Sequence, residues 1–158
     1  MSGLKGTFLT RLTDIDSSAK EVLGTLRFER NKVYKYVQIK NTTATVAGAA
    51  GTLVGYGATG GYTNHLVVID LTDADGAPIP AGTLQGTVTG TAGTSYYGWI
   101  QIKGAATLDT NVVNGAIGSA FTLSTTDKTG TLALAADVVR YAGVSVSATT
   151  AVVLDCVF

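Results

Sequence analysis

The chain carries one histidine, His65, and one cysteine, Cys156, so the residue types that build most active centres are scarce. A single imidazole and a single thiol cannot complete a structural zinc site. A Ser-His-Asp triad is arithmetically available, yet no GxSxG elbow presents a serine for it. Gly55-Tyr56-Gly57-Ala58-Thr59-Gly60 has the literal spacing of a dinucleotide-binding turn. That mechanism needs a helix N-terminus directly after the glycines to hold a pyrophosphate, and the continuation GYTNHLVVID reads as a loop and then a strand. Asp73-Ala74-Asp75-Gly76 carries part of a calcium-loop pattern, but Leu71 stands at the preceding acidic position and no glutamate follows at the required distance. It reads as a solvated turn. The eleven carboxylates are dispersed and single out no acid/base pair. The expectation is a non-enzymatic protein with no cofactor and no metal.

The other chemically suggestive stretch is YYGWIQIKG, residues 96–104, which holds the only tryptophan. Tyr97 to Ile102 resembles the aromatic core of the RNA-recognition-motif strand, whose rings stack on bases. The basic-Gly lead-in is missing, with Ser95 and Tyr96 in its place. Eleven basic residues cancel eleven acidic ones, so no basic surface accompanies it. Nucleic acid is therefore not an expected partner. Tyr96, Tyr97 and Trp99 also suit a stacking surface for a glycan, which defines the alternative function, a glycan-binding or host-adhesion head module. Core or interface filling is the third use of such rings.

These residues must be positioned by strands. Hydrophobic residues make up 46% of the chain and charged ones 14%, with 20 glycines and a dense scatter of threonine, a composition of short strands joined by turns. At 158 residues the chain suits one domain large enough to bury a core without staples. VYKYVQIK (33–40) alternates with period 2: Val33, Val37 and Ile39 share one face, Lys35 is the exception on it, and Tyr34 and Tyr36 point the other way. LGTLRFE (23–29) precedes it across a short hairpin link. Further strands are expected at 52–55, 65–71, 83–89, 96–104, 119–124 and 129–134, with a closing hairpin from VVRYAGVSVSA and TTAVVLDCVF. YKYVQIK (34–40) and YGWIQIK (97–103) echo each other, so neighbouring placement would let their aromatics pair across strands. In that arrangement Ile100 and Ile102 face the core, Tyr97 and Trp99 face an interface, and Gly98 sits where a side chain does not fit. SSAKEVL after Asp16 is the one short helix candidate. The pattern predicts an all-β fold, an antiparallel sandwich or barrel, jelly-roll-like, with Gly/Thr-rich loops. A short N-terminal arm over 1–20 precedes a single β domain over 21–158. No apolar run is long enough for a membrane span, no signal peptide is apparent, and Cys156 points to a buried thiol and a reducing compartment.

Four segments, SGLKGTF (2–8), EVLGTLRFERNKVYKYVQIKN (21–41), SYYGWIQIKGAAT (95–107) and YAGVSVSATTAVVLDCVF (141–158), together resemble the decoration, or cement, proteins of tailed-bacteriophage capsids. The resemblance covers about half of the chain and rests on turn glycines and strand aromatics. It implies a homotrimer on the outer capsid surface, assembled in the host bacterial cytoplasm, that binds the major capsid protein and reinforces joints between its subunits. Leu4, Lys5, Phe8 and Arg11 of the arm, with Tyr34, Tyr36, Tyr97 and Trp99, are the expected capsid or subunit contacts. The family pattern leads one to expect a glycine-bearing turn where Asn31-Lys32 stands.

Overall fold

The computed structural model describes residues 8–57, 61–73, 79–110, 112–113, 116–124, 126–128, 130–132, 142–146 and 150–156. The strands are β1 (Ile15–Asp16), β2 (Leu26–Glu29), β3 (Lys32–Ile39), β4 (Leu53–Tyr56), β5 (Leu66–Val68), β6 (Pro80–Leu84), β7 (Tyr96–Thr107), β8 (Val112–Val113), β9 (Ala120–Leu123), β10 (Gly130–Leu132), β11 (Gly143–Ser145) and β12 (Ala151–Asp155). Among the described residues, helix is limited to one turn at Gly61–Asn64 and a 3-10 turn at Leu71–Asp73.

The fold is all-β, and its centre is a closed ring. β3 pairs with β5, β5 with β4, β4 with β6, β6 with β7, and β7 returns to β3. Val37, Ile39, Leu53, Val67, Ile69, Leu84, Ile100 and Ile102 belong to its core and are almost fully buried. Ile100 and Ile102 thus face inward as the alternation predicts. The sheet is mixed rather than purely antiparallel, because β3 and β5 run parallel, as do β8 and β10. A parallel neighbour needs a crossover. Between β3 and β5 the crossover is the Lys40–Thr52 connection together with β4, whose small residues gave no periodic signal.

β7 leaves the ring at Gly104. Its first half pairs with β3, and its second half pairs with β12, from which the sheet continues through β11, β9, β10 and β8. Gly104 takes φ 95, and a Cβ there would lie 2.4 Å from the Asn31 carbonyl oxygen. The β2–β3 hairpin turn is seated against that glycine. Val152, Leu154, Phe121 and Leu123 from the extension join the same hydrophobic core.

Most predicted strands are present with shifted ends. The 65–71 strand is confined to Leu66–Val68, and the strand placed at 83–89 begins instead at Pro80 and ends at Leu84. The closing hairpin forms from β11 and β12. The helix expected after Asp16 does not form: Asp16 is in β1, and residues 17–20 are exposed and irregular. A segment so short has no apolar stripe to bury and cannot pay for its own nucleation. The one-turn helix at Gly61–Asn64 stands where the loop after the glycine-rich stretch was expected.

Candidate functional site

The residues singled out by the sequence divide between a buried aromatic cluster and its cover. Tyr36 and Trp99 are directly opposite each other in the β3–β7 ladder, with ring centroids 5.2 Å apart at 65°. Tyr34 opposes Gln101 and Gln38 opposes Tyr97, so the echo places its two halves about a local two-fold centred on Tyr36 and Trp99. Gly98 lies between the aromatics on the other face of the strand, where a Cβ would meet Ile15 Cδ1 of β1 at 2.5 Å.

The cluster is covered by the N-terminal segment. Phe8 packs edge-on against Trp99 at 5.4 Å and 86°, with Leu12 and Leu23 beside it. Trp99 Nε1 donates to Thr10 Oγ1 at 2.9 Å. The Arg27 guanidinium lies 4.9 Å from the Phe8 ring centre and donates to the Thr10 carbonyl at 3.2 Å. It also pairs with Glu29. Glu21 fixes the segment from the other side, accepting from Leu9 N–H at 2.6 Å and Thr10 N–H at 3.2 Å. Lys20 N–H donates to the Tyr36 hydroxyl at 3.2 Å. Burial raises the Tyr34 and Tyr36 pKa values, since the phenolate forms are poorly solvated there.

This geometry corrects three expectations. Trp99 is 0% exposed, Tyr36 0% and Tyr34 5%, so these rings fill the fold and do not present an interface face. The same burial removes Trp99 from any glycan-stacking surface. Tyr96 and Tyr97 are half-buried: Tyr97 packs against the aromatic cluster, and the Tyr96 hydroxyl bonds Thr89 Oγ1 at 2.6 Å. Finally, residues 8–20 are not a separate arm. β1 pairs with β7, and Phe8 has a core partner 91 positions away in sequence, which no local pattern reveals. Arg11 is exposed, while Leu4 and Lys5 lie outside the described residues.

A second group gathers around Lys35 of β3. Lys35, the exception in its strand's alternation, is buried and donates to the Tyr56 hydroxyl at 3.1 Å. Burial lowers the Lys35 pKa and raises that of Tyr56. His65, at φ 55, has its pKa lowered by burial and by the nearby Lys35 charge. Its Nδ1 is buried with no hydrogen-bond partner. Lys35 broke the period and could have been marked from the sequence as a buried cation; Thr10, Arg27 and Glu21 carried no such signal.

Asp73, from the calcium-loop fragment, accepts from the Thr42 and Thr43 backbone N–H groups at 2.5 and 3.3 Å and from Thr43 Oγ1 at 2.6 Å. Its carboxyl pKa is lowered, the hydrogen bonds outweighing a burial effect of opposite sign. Asp75 and Gly76 lie outside the described residues. Among the described residues no group of three or more His, Cys, Asp or Glu side chains is placed to hold a metal ion.

No protein-family model, curated protein or solved structure matches this chain.

Proposed function

We propose that this chain is a decoration protein of a tailed-bacteriophage head, acting by binding alone on the outer surface of the shell. It reinforces joints between major capsid protein subunits, and a homotrimeric state multiplies weak contacts through avidity. The observation that carries this reading is a convergence. Phe8, Arg27 with Tyr36, and Trp99 come from three segments of the resemblance, and they meet in one packed cluster. Their co-packing supports the reading in that three stretches carrying the resemblance belong to one structural unit.

The capsid contact in this reading is the outer side of the N-terminal segment. Leu9 is 78% exposed and Val22 79%, and Glu21 holds the two stretches together. Arg11 is exposed in the same run. Large apolar side chains on a rigid, well-anchored segment are suited to seating in a partner's surface. The test is mechanical. Undecorated heads are challenged by heat or osmotic shock with and without the purified chain, and genome release is measured. Protection by the wild-type chain, weakened in a Leu9→Ser, Val22→Ser double variant, is the expected result. Equal release with and without the chain would overturn the reading.

A further inference from the structure

We propose that the free edge of β2 is a two-fold self-association site, on which β2 of a second copy adds in antiparallel register centred on Phe28. Among the described residues β2 ends the path of hydrogen-bonded strands and pairs with β3 alone. The Thr25 carbonyl accepts from Tyr36 N–H at 2.9 Å. By the alternation of an antiparallel ladder, Thr25, Arg27 and Glu29 therefore direct their backbone groups to β3, while Leu26 and Phe28 direct theirs outward. Among the described residues nothing pairs with that outer edge. Phe28 is 70% exposed and Leu26 37%. A free edge bearing exposed apolar side chains is a template for another strand.

Charge selects both the occupant and the register. Only registers that bring outward-pointing backbone groups together can form, so the two-fold falls on Leu26, Arg27 or Phe28. Centring on Leu26 sets each Arg27 opposite a Thr25 that offers it no charge. Centring on Arg27 sets two arginines directly opposite each other, which is unfavourable. Centring on Phe28 sets Arg27 opposite the second copy's Glu29 and the reverse, with Phe28 facing its own equivalent and exchanging both hydrogen bonds with it. The run Arg27-Phe28-Glu29 is thus self-complementary, and the net charge of zero leaves no overall repulsion to oppose the contact. The interface is isologous and distinct from a three-fold contact. With a four-residue strand on each side it is small, so association is weak and concentration-dependent.

Sedimentation equilibrium of the full chain tests this, with Trp99 fluorescence and thermal melting as fold controls. Wild-type protein is expected to self-associate. Arg27→Glu and Glu29→Arg, each alone, should weaken association about tenfold or more by turning two attractive cross-strand pairs repulsive. Mixing the two variants should restore it, since each supplies the charge the other lacks. Phe28→Lys changes an exposed side chain and should also dissociate the pair. If Arg27→Glu loosens the fold by losing its contact with Phe8, Glu29→Arg, which gives up only the partly exposed pair with Arg27 of its own chain, and Phe28→Lys carry the test. Wild-type protein that stays monomeric, association insensitive to both of those variants, or no recovery in the mixture of well-folded variants would each overturn the proposal. So would protection of β2 amides only on capsids, which would assign the edge to a capsid strand.

Discussion

Trp99 Nε1 donates to Thr10 Oγ1 at 2.9 Å, tying the first half of the longest described strand to a segment that precedes β1. Both residues are buried, so the bond has no water to replace it. Thr10→Val preserves the shape and removes the acceptor. It should cost about 1–3 kcal/mol, the penalty for a buried N–H without a partner. Urea denaturation measures this, and an unchanged midpoint would mean that the N-terminal segment does not hold the cluster closed.

The pH dependence of stability follows from the second group. Burial sets Lys35 below its ordinary 10.5 and His65 below 6.5. For each, there is a range beneath the ordinary value in which the unfolded chain holds a proton that the folded chain has released. Stability therefore rises with pH through each range. Tyr56 acts in the opposite sense above its ordinary 10, where the unfolded chain ionises first. Lys35→Met should remove the upper rise and raise stability at neutral pH, because burial disfavours the Lys35 cation and among the described residues it has no ion-pair partner. Urea midpoints between about pH 5 and about pH 10 check it. The same slope in the variant would contradict the assignment.

The β2–β3 turn offers a paired test. Arg30 adopts φ 54, a left-handed conformation that costs a residue bearing a Cβ about 1–2 kcal/mol. Arg30→Gly should raise stability by about 0.5–1 kcal/mol. Gly104→Ala should lower it by about 1–3 kcal/mol, because it strains φ 95 and pushes on the Asn31 carbonyl beneath the same turn. Thermal or urea unfolding reads both. Effects of equal sign would contradict this geometry.

Cys156 is buried against the Ala142 carbonyl, and burial pushes its thiol pKa up to about 12. The thiolate is the reactive form. The native protein should resist a thiol reagent at neutral pH, while denatured protein reacts at once. Fast native labelling would show that the core opens around β12.

Alternation made the central strands legible before their partners were known. VYKYVQIK and YYGWIQIKG each show which side chains turn inward, and their echo anticipates the Tyr36–Trp99 pair. Ring closure was not legible, because it depends on β5 lying parallel to β3 across a small-residue connection without a period. In sequence the aromatic face looks like an interface, because its cover, Phe8 to Leu12, lies far away in the chain and has no repeating pattern. The exposed alternatives carry no mark in the sequence: Leu9 adjoins Phe8 and Val22 adjoins Leu23, both packed on the aromatic cluster, and Phe28 stands between Arg27 and Glu29. Only their three-dimensional exposure distinguishes them.

Co-sedimentation with undecorated phage heads, measured as bound chain against total chain, bears most directly on the proposed role. Saturable pelleting with the heads, reduced by the Leu9→Ser, Val22→Ser double variant and unaffected by simple sugars, is the predicted result. A folded chain that stays in the supernatant at every concentration would contradict it.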